Sequence, residues 1–160
     1  MKGRQRGFSL IELLVVVAII LIIAAIAIPN FLRAKISANE SSAVSSVHAI
    51  DTAEITYSSE FFTVGYSAQL ADLGPGGTSG TCPGTATASC FIDNALATGT
   101  KSGYSFTYVQ NAASTPSVGF TINADPVVQD VTGGKGFYSD QSNIIRYQNP
   151  GPATINSDPI

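Results

Sequence analysis

The sequence predicts an α+β protein. One long N-terminal helix, membrane-spanning in its first half, packs through its second half on a roughly four-stranded antiparallel sheet. Three observations carry this. From Leu13 to Ile28 there is no polar side chain at all. Beyond it, apolar residues recur at three- and four-residue steps, the period of a helix with one buried face. The last third of the chain changes to alternation of aromatic and small polar residues, the period of half-buried strands.

The chain has 160 residues, room for one domain and an extension. Charged residues make up only 12%, about half the usual share. Residues 1–7 are a basic leader holding Lys2, Arg4 and Arg6. Without those three charges the net charge would go from −3 to −6. That balance argues against a general nucleic-acid binder, whose affinity comes from neutralising phosphates. Positive charge ahead of an apolar run predicts a cytoplasmic N-terminus and an exported C-terminus.

Residues 8–30 form the apolar segment. Phe8 to Ile28 is 21 residues, about the length that spans hydrocarbon. Two ordinary readings fit: a secretory signal cut near Ala25-Ile26-Ala27, and a plain single-pass anchor. Neither explains Glu12. A carboxylate in lipid costs a few kcal/mol on insertion scales and has a partner by default. Cleavage after Gly7 would supply one. The new α-amino group of Phe8 would lie four residues before Glu12, and an ammonium and a carboxylate relieve each other's burial cost in a low-dielectric place. Within one helix the pair is i and i+4. Between chains it would set the axial register of bundled helices.

Arg6-Gly7-Phe8-Ser9-Leu10-Ile11-Glu12, the apolar run and Ile28-Pro29-Asn30 together resemble the class III signal of type IV pilins and the related pseudopilins of type II secretion. The likeness is close over residues 1 to about 36 and weaker beyond. It implies a prepilin peptidase cleaving between Gly7 and Phe8, N-methylation of Phe8, and Glu12 acting in assembly and register. It implies copies of the chain as partners in a homopolymer, together with the peptidase, the inner membrane and a pilus assembly machinery. The subunit would be held in the bacterial inner membrane before assembly and stand in a surface filament after it. One departure stands out. Many pilins have Gly where this chain has Leu21, so less unwinding is expected between there and Pro29 in a filament, Gly being about 1 kcal/mol worse in a helix.

The helix is expected to run from about Phe8 to Glu60, roughly 80 Å, with a kink at Pro29. Residues 31–61 are its amphipathic half. Leu32, Ile36, Val44, Val47, Ile50, Ala53, Tyr57 and Phe61 lie on one face; Lys35, Asn39, Ser42, Ser46 and Ala49 lie on another. Val44, Val47 and Ile50 are expected beneath the sheet. Residues 62–101 read as a connecting loop, nearly low-complexity over GPGGTSGTCPGTATAS. On the exported side Cys82 and Cys90 favour a disulfide. A zinc site is the rival, but it needs more ligands, and the one histidine is His48.

The sheet is placed in residues 102–148. Its strands are Tyr104 to Gln110, Ser117 to Asn123, Gly136 to Ser139 and Asn143 to Gln148, with a turn over Asn111 to Pro116. Residues 149–160 read as a surface arm.

Chemistry is scarce. His48 has no acid or cysteine cluster near it in sequence, and nothing hints at a Ser/His/Asp triad. The runs at Gly74 to Gly80 and Gly133-Gly134 lack the Lys-Ser/Thr of a phosphate loop. Asp140 and Asn143 read as a turn that bonds its own backbone rather than a calcium loop. The expectation is a structural subunit with no enzymatic activity, no cofactor and no metal. A secretion pseudopilin is the alternative within the family, and a membrane-anchored monomeric binding domain the alternative outside it.

Overall fold

A computed structural model describes residues 8–76 and 82–160. They form two compact units, one ending at Lys35 and the other running from Ile36 to Ile160. Helix α1, Leu10–Glu60, extends through both.

In the second unit, α1 buries one face. Ala43, Ser46, Val47, Ile50, Asp51, Ala53, Glu54 and Tyr57 are buried, at the three- and four-residue spacing of a single stripe. Val47 and Ile50 are fully covered, as the spacing predicts, while Val44 is half-buried at the margin of the core. Ser46, expected on the polar face, is instead buried between Ala43 and Ile50. His48 is exposed.

The sheet has six strands, not four: β1 Thr100–Lys101, β2 Tyr104–Gln110, β3 Phe120–Pro126, β4 Gly136–Asp140, β5 Arg146–Gln148 and β6 Asp158–Pro159. They form a meander in sequence order, every pairing antiparallel. The two unexpected strands are two-residue pieces at the edges, too short to show alternation. β2 has its expected limits. β3 begins three residues later than expected because the backbone of Ser117 is engaged elsewhere. Its N–H donates to the Val64 carbonyl at 2.8 Å, and its own carbonyl accepts from Tyr66 at 3.4 Å.

The connection after α1 does more than join elements. Leu70 and Leu73, in a 3-10 turn over Leu70–Leu73, are buried, and so are Ile92 and Leu96. They share one core with Val47, Ile50 and Tyr57 of α1 and with Tyr104, Phe106, Phe120, Ile122 and Phe137 of the sheet. A short helix α2, Asn94–Ala97, starts where the Asp93 carboxylate accepts from the Leu96 N–H at 2.8 Å. Lys101 Nζ, 2.7 Å away, holds that carboxyl below its usual range together with the Leu96 N–H. The C-terminal arm is pinned. Ala153 is buried, Asn123 donates to its carbonyl at 2.8 Å, and Arg146 donates to the Ser157 carbonyl at 3.0 Å.

Candidate assembly surface

The first unit is an apolar stem. Ser9 starts it, its carbonyl accepting from the N–H groups of Glu12 and Leu13 at 3.1 and 3.2 Å. From Leu10 onward the leucines, isoleucines and valines keep helical geometry and stay exposed around the whole circumference. Phe8 is 73% exposed and Leu21 63%. A soluble monomer seldom leaves a contiguous apolar patch above a few hundred Å² uncovered, and such a surface marks a membrane or protein contact. Because all sides are apolar, the stem is suited to being surrounded, by lipid or by similar helices, rather than to lying on one partner.

Glu12 stands one turn inside this stem. Among the described residues no side chain bonds its carboxylate or forms an ion pair with it. In the chain as given Phe8 carries an ordinary peptide nitrogen, so no free amine stands beside Glu12. Gly7 lies outside the described residues. Pro29 lies inside α1, where it offers no N–H to the carbonyl of Ala25.

The remaining features expected from the sequence fall away from the stem. Cys82 and Cys90 are joined by a disulfide, with Cα atoms 5.8 Å apart, which closes a short loop and leaves the zinc alternative without thiolates. Among the described residues no group of three or more His, Cys, Asp and Glu gathers as metal ligands would. Asp140 accepts from the Ser142 N–H at 2.8 Å, and its carbonyl accepts from the Asn143 N–H at 2.8 Å, the self-bonded turn expected there.

Sequence reasoning missed two buried carboxylates on the core face of α1. Glu54 is fully covered and accepts from both the backbone N–H and the hydroxyl of Ser67. Burial raises its pKa against those bonds. Asp51 is 3% exposed; one oxygen accepts from Ser139 Oγ at 2.7 Å and the other, Oδ1, has no partner. Burial pushes its carboxyl up to about 6, the Ser139 bond opposing and the charges of Asp140 and Glu54 adding. A signal was present: both acids sit at steps of three and four from Val47, Ile50 and Tyr57, on the apolar stripe.

Residues 2–28 match the prokaryotic N-terminal methylation motif. The chain is 51% identical over 57 residues to the type IV major pilin protein PilA of Myxococcus xanthus, covering 36% of this chain and 26% of that one. It is 38% identical over 52 residues to the type II secretion system core protein G of Dickeya chrysanthemi, covering 32% of this chain and 34% of that one. A type IV wide pilus major component, PilA4 of Thermus thermophilus, is 60% identical over 35 residues, 22% of this chain and 27% of its own. The aligned part thus spans about a quarter to a third of these relatives. No solved structure gives a significant match. The methylation motif at the head of an exposed apolar helix, with these relatives, supports the type IV pilin and pseudopilin family for this chain.

Proposed function

We propose that the chain is a structural subunit, a pilin that polymerises into a type IV pilus-like filament after cleavage between Gly7 and Phe8 and methylation of the new amine. The observation that carries this is Glu12, an acid without a partner among the described residues, four residues after Phe8 on a stem exposed on every side. On this reading, residues 8–30 hold the subunit in the inner membrane, N-terminus cytoplasmic, and later form the filament core. Moving the stem from lipid to a bundle of stems brings little hydrophobic gain, since lipid is as apolar as leucine. Packing and the Phe8 amine–Glu12 contact must then select the register. A prepilin peptidase and an assembly machinery act on the subunit; the subunit itself performs no reaction.

A second reading, a type II secretion pseudopilin forming a periplasmic pseudopilus, is supported by the likeness to the Dickeya protein over 52 residues. One observation favours the pilin: the stretch FFTVGYSAQLADLG after α1 lacks the proline usual in major pseudopilins. The test is Glu12→Ala. It is expected to insert and to be cut after Gly7 as the parent is, with filament yield down more than about tenfold, since a charge-assisted contact of about 1.5–3 kcal/mol is lost per subunit. Normal filament yield would refute the pairing role. An intact mass that places the N-terminus anywhere but Phe8 would remove the prepilin reading itself.

A further inference from the structure

An open cavity of about 550 Å³ lies on the outer face of the sheet in the second unit. Thr121 is the ladder partner of Val109 on β2 and of Asp140 on β4, so the three side chains form one row across the sheet. Successive residues of a strand point to opposite faces, and Phe120 and Ile122, on either side of Thr121, are buried in the core. Tyr138, two residues before Asp140, shares the outer face. Ile155 of the C-terminal arm and the side chains of Asn111 and Gln141 complete the wall.

The charge in this cavity has no counter-ion. Asp140 is 5% exposed. Its carboxylate accepts from the Ser142 N–H at 2.8 Å and from the Tyr138 hydroxyl at 3.3 Å, and it forms no ion pair among the described residues. Arg146 is the ladder partner of Tyr138, but its guanidinium donates to the Ser157 carbonyl. Asp51, whose carboxyl feels the Asp140 charge, adds an acid and no cation. A charge taken out of water is costly unless it is paired. Among the described residues no Lys or Arg lines the cavity, so it opposes an anion. Calcium fits poorly, since it takes six or more oxygens and only one carboxylate is here. The lining suits an organic cation instead. An ammonium or guanidinium brings several N–H donors, and the Thr121 hydroxyl and the Asn111 and Gln141 amide oxygens are acceptors beside the carboxylate. The Tyr138 ring attracts a cation, and Val109 and Ile155, 57% and 50% exposed, offer apolar walls to a methylene chain.

We propose that this cavity binds an aliphatic cation, the ammonium or guanidinium of a lysine- or arginine-like group, with Asp140 as its counter-ion. Two sources have that chemistry. Of the five cations among the described residues, Lys101 pairs with Asp93, Lys135 pairs with Glu40, and Arg146 holds the Ser157 carbonyl. Arg33 and Lys35 are exposed and pair with no acid among the described residues, so a second copy of the chain carries suitable side chains. A free diamine is the other source. The site itself stands apart from the filament reading; only the second-copy source draws on it.

The test uses the isotope-labelled full chain in an uncharged polyoxyethylene detergent at low salt, which brings neither a cation nor a sugar of its own. N-acetyl-lysine methylamide is titrated in, followed by the amide resonances of Thr121, Tyr138 and Gln141. N-acetyl-norleucine methylamide, with the same chain but no charge, and methyl glucoside are the comparisons. The lysine probe is expected to shift the three resonances to saturation and the comparisons to leave them in place. Asp140→Asn, which keeps an acceptor for the Ser142 N–H, should weaken the lysine probe by about tenfold or more, the scale of a hydrogen bond to a charged group. Gln141→Lys, at an exposed position of the rim, should weaken it similarly by placing a competing ammonium beside Asp140, without touching a buried residue. Equal shifts from the norleucine probe, saturation by methyl glucoside alone, or unchanged affinity in both variants would overturn the proposal. The source is read by comparing cadaverine with a peptide of residues 30–38. Tighter binding of the peptide assigns the site to a second copy, and tighter binding of cadaverine assigns it to a free diamine. Binding of neither overturns the site.

Discussion

Asp51 gives a test of the head that is independent of assembly. Its carboxyl is raised from 3.8 to about 6 by burial, with Ser139 Oγ on one oxygen and nothing on the other. An acid whose pKa is raised on folding binds more protons folded than unfolded between those two values. Stability therefore falls as pH climbs from about 4 to about 6. The difference of 2.2 units corresponds to about 3 kcal/mol between full protonation and full ionisation, at 1.36 kcal/mol per unit. Asp51→Asn removes the titration. Its amide oxygen can still accept from Ser139, while its NH2 takes the unpartnered place at a cost of about 1 kcal/mol. The variant should be less stable than the parent by about 0.5 kcal/mol at pH 4 and more stable by about 2 kcal/mol at pH 7. That amounts to a few °C in Tm, with the two curves crossing between. Glu54 and Asp125 are also raised by burial, so the parent curve alone does not isolate Asp51; the difference between parent and variant does. The assay is thermal melting of the full chain in detergent, followed by the near-ultraviolet dichroism of its tyrosines. Parallel curves for parent and variant from pH 4 to 8 would refute the argument.

Two further outcomes follow from the head. Replacing Cys82 and Cys90 together by Ser opens a loop of separation 8, which on chain entropy should cost about 2.5 kcal/mol; chemical denaturation with and without reductant reads it, and an unchanged midpoint would show that the neighbouring segment orders the loop by itself. Gly65→Ala should destabilise by about 2 kcal/mol or more, because Gly65 has φ +83° and an added Cβ would press on the backbone of Ser117, which holds the bridge that delays β3; a melt within a degree of the parent would refute that account.

Much of this protein was legible in its sequence for reasons that are local. Lipid-compatible composition from Leu13 to Ile28, the acid at Glu12 and the glycine–phenylalanine junction are properties of consecutive residues, and they identify the stem without any tertiary contact. The 3.6-residue stripe through Val47, Ile50 and Tyr57, and the alternation from Tyr104 to Gln110, likewise declare a helix and a strand because each buries one face. What the stem packs against was not in its own residues, since a helix apolar on every side names no partner. Only the tertiary structure decided that Thr100–Lys101 and Asp158–Pro159 close the sheet as edge strands, because two residues carry no period and pair only where a neighbour offers its backbone. It alone put Leu70, Leu73 and Leu96, from a segment that reads as loop, into the core. It alone buried Asp51 and Glu54, where Ser139, far along the chain from Asp51, and Ser67, in the connection after α1, supply the bonds that make burial of a carboxylate tolerable. Long-range pairing and desolvation depend on what the fold brings together, and no local pattern along the chain records it.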